Sequence, residues 1–177
     1  MSYQTLYPDV NKVLHSLTQG IREILRDNLI GVYLMGSLTY EAFNPDNSDI
    51  DLVVIITNPA ESKQLEELKQ MHLQVEAIHT TWAKRIECSY VPREMLANID
   101  PPKTPRPYFG EGIFYPEAPY GNEWIINQYL LYTYGMALKG PEFKTLIQPV
   151  DIRDVQAACI RDLFQKWKPK MHDLECQ

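Results

Sequence analysis

The sequence predicts an α/β (α+β) fold, a small mixed sheet with helices packed on it and more helices towards the C-terminus. Three observations carry that prediction. Apolar runs of strand length recur at residues 29–35, 49–56 and 85–91. Helix-period stripes precede the first run and separate the second from the third. Helical periodicity then returns from about Asn122 and again after Asp151. Strands alternating with helices need crossover connections, with the helices laid on the sheet.

Residues 8–28 form the clearest helix. Val10, Val13, Leu14, Leu17, Ile21, Ile24 and Leu25 fall on one stripe, Pro8 suits the first turn, and Asn28 is placed to end it in a left-handed conformation. Leu29 to Met35 is the first strand, Ser37 to Phe43 reads as a helix start, and Asp49 to Ile56 is the second strand. After Asn58-Pro59 a charged helix is expected from about Ala60 to Lys84. Its row of Leu65, Leu68, His72, Val75 and His79 makes the two histidines core or interface residues rather than ligands. Arg85 to Val91 is the third strand.

Between Asp100 and Pro119, six prolines alternate with aromatic residues, which predicts a mostly extended loop with one short strand at Gly112 to Tyr115. Loops of that length are more often functional or edge-covering than spacers, so substrate contacts are expected from Tyr108 to Tyr120. A helix follows from Asn122 to Lys139, stopped by Gly140-Pro141. Aromatics on it, Trp124, Tyr129, Tyr132 and Tyr134, are expected in the core before any role in base stacking. Asp151 caps a last helix running to about Trp167.

Chemistry concentrates where the first two strands meet. Asp49 and Asp51 lie in Ser48-Asp49-Ile50-Asp51-Leu52, and residues two apart in a strand leave on one face. Two like charges at the edge of a core repel and are costly to desolvate, and a divalent cation relieves both problems. Oxygen-only ligands at this spacing suit Mg2+. The competing reading is a capped loop, since Asn44 to Ser48 is rich in turn residues and Asp49 can satisfy its backbone. Gly36-Ser37 makes a tight turn out of the first strand, whose N–H groups and hydroxyl suit a phosphate, although Ser37 also fits a plain N-cap. Glu87 sits inside an apolar strand and needs compensation, for which Arg85 and Lys84 are the bland partners.

Gly-Ser, a gap of about a dozen residues, Asp-x-Asp in an apolar strand and a carboxylate in a later strand together resemble the DNA polymerase β-like nucleotidyltransferase superfamily. Gly36-Ser-Leu-Thr-Tyr and Asn47-Ser-Asp-Ile-Asp-Leu look most like the aminoglycoside adenylyltransferases that modify streptomycin and spectinomycin. The resemblance implies transfer of AMP from ATP to a hydroxyl, with Asp49 and Asp51 holding Mg2+ and Gly36-Ser37 positioning phosphates. It gives Glu87 one of two roles, completing the metal site or accepting the proton of the attacking hydroxyl. The implied layout is a nucleotidyltransferase domain over residues 1–149, including the loop at 100–120, and the start of a truncated helical domain over 150–177. Two alternatives stand beside it. One is a minimal nucleotidyltransferase that modifies a small helical protein partner; the other is a non-catalytic, nucleotide-binding remnant.

Composition narrows the classes further. The net charge is −6 with no basic stripe, which argues against a nucleic-acid partner. The longest apolar runs are strand-length, so no membrane span is expected. The N-terminus shows neither a basic start nor an apolar segment of the kind that directs secretion. Cys88, Cys159 and Cys176 lack ligand spacing, and an odd number of thiols fits a reduced, cytoplasmic setting. Apolar residues on the last helix, among them Val155, Leu163, Phe164 and Trp167, are expected to seek a homodimer or partner contact.

Overall fold

Buried strands that alternate with amphipathic helices assemble here into one six-stranded mixed sheet, in the order β5-β4-β3-β2-β1-β6. The computed structural model describes residues 5–169 and 171. Helix α1 (Pro8–Leu25) leads into β1 (Leu29–Met35), which pairs antiparallel with β2 (Ile50–Ile56). Helix α2 (Ser62–Ile78) crosses over to β3 (Ile86–Pro92), parallel to β2. The hairpin β4 (Arg106–Gly110) and β5 (Ile113–Ala118) extends the sheet beyond β3. Helix α3 (Glu123–Tyr134), strand β6 (Met136–Lys139) on the far side of β1, and helix α4 (Ile152–Asp162) complete the order.

Period-two alternation divides each strand between two cores. Ile50, Leu52, Val54 and Ile56 of β2 join Ile86, Cys88 and Tyr90 of β3 in packing against the stripes of α1 and α2. Val53, Ile55 and Val91 face the other way, with Tyr33 and Met35, against Trp124 and Leu131 of α3. Asp51 and Glu87 belong to this second set by register, but lie at the end of the face that α3 leaves open. His72 is buried in the first core, its Nε2 2.7 Å from the Tyr90 hydroxyl and its ring stacked on Phe109. Burial holds that imidazole neutral, with its pKa lowered to about 3.

Several elements differ from the sequence-based expectation. The connection between β1 and β2 is short enough for an antiparallel pair, so a crossover serves only β2 and β3. The helix expected from Ser37 is a single 3₁₀ turn, Gly36–Thr39, because Gly36 takes φ +70° and Glu41 φ +60°. The first helix ends at Leu25, where Arg26 rather than Asn28 turns to positive φ. Asn28 instead exchanges side-chain hydrogen bonds with the backbone of Asn58, tying the start of β1 to the end of β2. Helix α2 stops at Ile78, and the chain reverses through a 3₁₀ turn at Thr80–Trp82 with Lys84 at φ +64°.

Only the first part of the proline-rich segment, up to residue 105, is a loop; the expected short strand is there as part of β5, and β4 precedes it. The segment's alternating residues pair as a hairpin; Pro107 falls at the register shift between Arg106 and Tyr108, and Pro116 on the edge strand β5, where few ladder bonds are lost. The helix expected to reach Lys139 breaks at Gly135, after which Met136–Lys139 adds to β1 as an edge strand. A side chain at 135 would lie 2.4 Å from the Leu131 carbonyl, which explains the residue at that exit. The Asp151 side chain accepts from Arg153 N at the start of α4, which runs on into a π-helical turn at Leu163–Trp167. Cys88 is buried and Cys159 exposed, both as thiols; Cys176 and part of the segment 150–177 lie outside the described residues. No helix among the described residues is long and apolar enough to cross a membrane.

Candidate active site

Asp51 enters the sheet with Met35 of β1 on one side and Glu87 of β3 on the other. Parallel register makes Asp51 and Glu87 lateral neighbours, with their side chains on the same face. The turn at Gly36 closes the site from the β1 side. A Cβ added at Gly36 would sit 2.1 Å from Oδ2 of Asp51, so the turn rests directly on this carboxylate. Glycine is required there twice over, for the contact and for its φ of +70°.

These surroundings act on Asp51 in one direction. Burial, then the charge of Glu87, then that of Asp49, raise its pKa to about 7. A carboxylate in that condition is a place where a cation gains much and a proton is the fallback. Asp49 sits outside the strand proper, half exposed, with Oδ1 3.9 Å from Nε of Arg85. Arg85 also donates to the carbonyls of Pro45 and Ser48 and lies 4.7 Å over the Trp82 ring. Its guanidinium therefore staples the turn before Asp49 and does not serve as the expected bland partner of Glu87.

Ser37 lies within the 3₁₀ turn, whose N-cap is Met35, so the plain N-cap reading does not hold. The five expected residues thus divide. Gly36, Asp51 and Glu87 are in one place; Asp49 is at the lip and senses Asp51 through charge; Ser37 follows the contact by one residue. Among the described residues, no group of three or more His, Cys, Asp or Glu is arranged to hold a metal by itself. The donor set at Asp51 and Glu87 is nonetheless acidic, oxygen-only and adjacent, which suits an ion that takes one or two carboxylates and completes its shell with phosphate and water.

A cavity of about 370 Å³ opens on the two carboxylates. Ser89, Arg106 and Tyr108 line its β3–β4 side, and Glu123 and Asn127 of α3 line the roof. Arg106 donates to Ser89 Oγ (3.2 Å) and the Pro119 carbonyl (2.7 Å) and lies 4.3 Å over the Tyr120 ring. Sequence reasoning pointed at the stretch from Tyr108 but missed Ser89, Arg106, Glu123 and Asn127. The available signal was period two: Ser89 follows Glu87 by two positions, and Tyr108 follows Arg106 by two. Trp124 is core, 5% exposed, with its indole N–H on the Asn98 carbonyl.

The sequence model of the nucleotidyltransferase domain family matches residues 18–98, which include Gly36, Ser37, Asp49, Asp51 and Glu87. Comparison with curated proteins finds no match. Among solved structures, spectinomycin adenyltransferase AAD(9) from Enterococcus faecialis, crystallised with ATP and spectinomycin, is similar with a TM-score of 0.70 and 19% identity. The alignment covers 85% of this chain and 64% of that one, so this chain spans less than two thirds of its length. A toxin–antitoxin structure with AMP-PNP matches with a TM-score of 0.38 and 16% identity, over 89% of this chain and 97% of that one. The tri-AMPylated Shewanella oneidensis HEPN toxin with MNT antitoxin gives 0.34 and 15%, over 93% and 99%.

Proposed function

We propose that this chain, whose residues 18–98 match the nucleotidyltransferase domain family, is an enzyme that transfers AMP from ATP to a hydroxyl of an aminoglycoside. The observation that carries the reading is the convergence of Gly36 and Glu87 on Asp51, with both carboxylates lining one cavity. ATP as donor is supported by the ATP-bound adenyltransferase of similar fold. The same structure motivates the aminoglycoside class, since it also contains spectinomycin. The acidic walls of the cavity, Asp51, Glu87 and Glu123, suit an acceptor that carries cationic groups.

Asp51 and Asp49 would hold Mg2+, with Glu87 either sharing it or acting as base. An ion held there would supply positive charge against the triphosphate and the departing pyrophosphate. The chain's own residues do the rest. Gly36 brings the backbone of its turn against Asp51, so that N–H groups and the Ser37 hydroxyl receive the β- and γ-phosphates. Where it acts as base, Glu87 takes the proton of the acceptor hydroxyl as that oxygen attacks the α-phosphate in line, a contribution of about 10²–10⁴ in rate. Residues 1–149 constitute the catalytic domain in this reading, and 150–177 begin a helical domain that continues the substrate wall. We place the reaction in the cytoplasm, where ATP is at hand and thiols such as Cys88 and Cys159 stay reduced.

A second reading keeps the reaction and changes the acceptor to a tyrosine of a small helical protein. The exposed apolar residues Ile160, Leu163, Phe164 and Trp167 at the end of the chain's last helical segment favour it, since such a face suits a partner. The deciding experiment supplies labelled ATP and Mg2+ with a panel of aminoglycosides and follows pyrophosphate release. Release that depends on an aminoglycoside and disappears in Asp49→Ala and Asp51→Asn upholds the first reading. A label found on a co-purifying protein upholds the second. ATP binding that needs neither Mg2+ nor Asp51, with no release, overturns both.

A further inference from the structure

We infer that Tyr108 is a positioning residue for Glu87, its phenol donating a hydrogen bond that fixes the carboxylate while leaving it open to the acceptor. The inference rests on the reading of Glu87 as part of the transfer site, and it adds a residue to which neither the family motif nor the strand pattern assigns a role.

The geometry comes from register. Strands β3 and β4 pair Cys88 with Phe109 and Ser89 with Tyr108, so Gly110 falls opposite Glu87. Tyr108 and Gly110 are two apart and share a face. At Gly110 a Cβ would lie 2.5 Å from Oη of Tyr108, so the ring lies along the strand over the glycine and its hydroxyl occupies the place of that missing side chain. This places the hydroxyl beside Glu87, on the same face of the sheet. Tyr108, Glu87 and Asp51 line the same cavity.

The ring is braced on both sides. Arg106 lies 5.6 Å from its centre and is itself anchored on Ser89 and Pro119. Tyr115 of β5 stacks on it with centroids 6.2 Å apart and planes at 26°. Burial first, then the charge of Glu87, push the phenol's pKa up. A hydrogen bond from the phenol would hold one carboxylate oxygen of Glu87 and leave the other for the cavity that both residues line. A base held in one orientation avoids the loss of about 10²-fold that a 1 Å misplacement brings.

The test compares Tyr108→Phe, Gly110→Ala, Glu87→Gln and the Tyr108→Phe/Glu87→Gln pair in the whole chain, with ATP, Mg2+ and whichever acceptor the native protein uses. Tyr108→Phe is expected to lower kcat about tenfold with the KM for ATP unchanged. Gly110→Ala, which keeps the hydroxyl but displaces it, is expected to do the same. In the Glu87→Gln background, Tyr108→Phe is expected to cost nothing further. A second readout needs no turnover: 3-fluorotyrosine at position 108 is expected to show a ¹⁹F resonance that moves on Glu87→Gln without nucleotide. Native kcat in Tyr108→Phe, additive losses in the pair, or an unmoved resonance overturns the inference. If the native chain transfers AMP to nothing, the transfer reading fails, and the fluorine signal alone upholds or overturns the contact.

Discussion

The chain lays a tyrosine over a glycine in the same strand at two places, and uses the arrangement for two ends. In β1 the Tyr33 ring covers Gly31, where a Cβ would sit 2.4 Å from the phenol oxygen. In β4 the Tyr108 ring covers Gly110 in the same way. Both cover backbone that a glycine leaves bare, a known means of stabilising strand glycines. The difference lies in what receives the hydroxyl. Tyr33 is fully buried, meets Phe143 edge-on at 5.2 Å, and donates to the Pro141 carbonyl at 3.0 Å, locking the turn after β6 onto the sheet. Tyr108 is partly exposed at a cavity wall and reaches Glu87. An identical local device is structural where its hydroxyl meets a backbone acceptor, and becomes a functional candidate where it meets an ionisable group.

The strongest way to break that contrast is to remove the chemistry that gives Tyr108 its setting. Asp51→Asn should lower AMP transfer by about 10³-fold or more, measured by pyrophosphate release. The same substitution should stabilise the metal-free protein at high pH. The folded protein holds the Asp51 proton up to a pKa of about 7, whereas the unfolded chain releases it near 3.8. The contribution of Asp51 to stability should therefore be greatest below the unfolded value, fall as pH rises from about 4 to 7 by roughly 4 kcal/mol, and level off above. Urea titrations across that range should show the slope in the native protein and its loss in Asp51→Asn.

Next in size is Gly36→Ala, which drives a methyl into the Asp51 carboxylate and strains a residue at φ +70°. A loss of about 10²-fold in kcat is expected, because the turn and the carboxylate move apart. Gly31→Ala sharpens the comparison from the structural side. Its methyl meets a ring with nowhere to go, so a loss of about 1–3 kcal/mol in stability is expected, with KM unchanged. Smallest is Tyr33→Phe, which should cost about 1 kcal/mol in denaturant titration and leave turnover as it was. Were Tyr33→Phe to reduce turnover as Tyr108→Phe is expected to do, the two pairs would not differ in kind.

Much of this architecture is legible before folding, and the reason is local. Burial on one side of a helix or strand writes its own period into the chain, so α1, β1, β2 and β3 are recognisable from Val10, Leu34, Val54 and Tyr90 and their neighbours. The Gly36 turn and the Asp49-x-Asp51 pair are likewise local, since two residues of one strand need no partner to share a face. Pairing is different. Whether residues 106–118 lie loose or fold as a hairpin depends on the open edge of β3, and whether Met136–Lys139 continues a helix or joins a sheet depends on the open edge of β1. No window of sequence contains those edges. For the same reason Asp49, Asp51 and Glu87 could be named in advance as carboxylates in want of a counter-charge, while the place of Tyr108 could not. Its contact with Glu87 exists because one register sets a glycine opposite that carboxylate, and register is chosen by strands that meet only when the chain is compact.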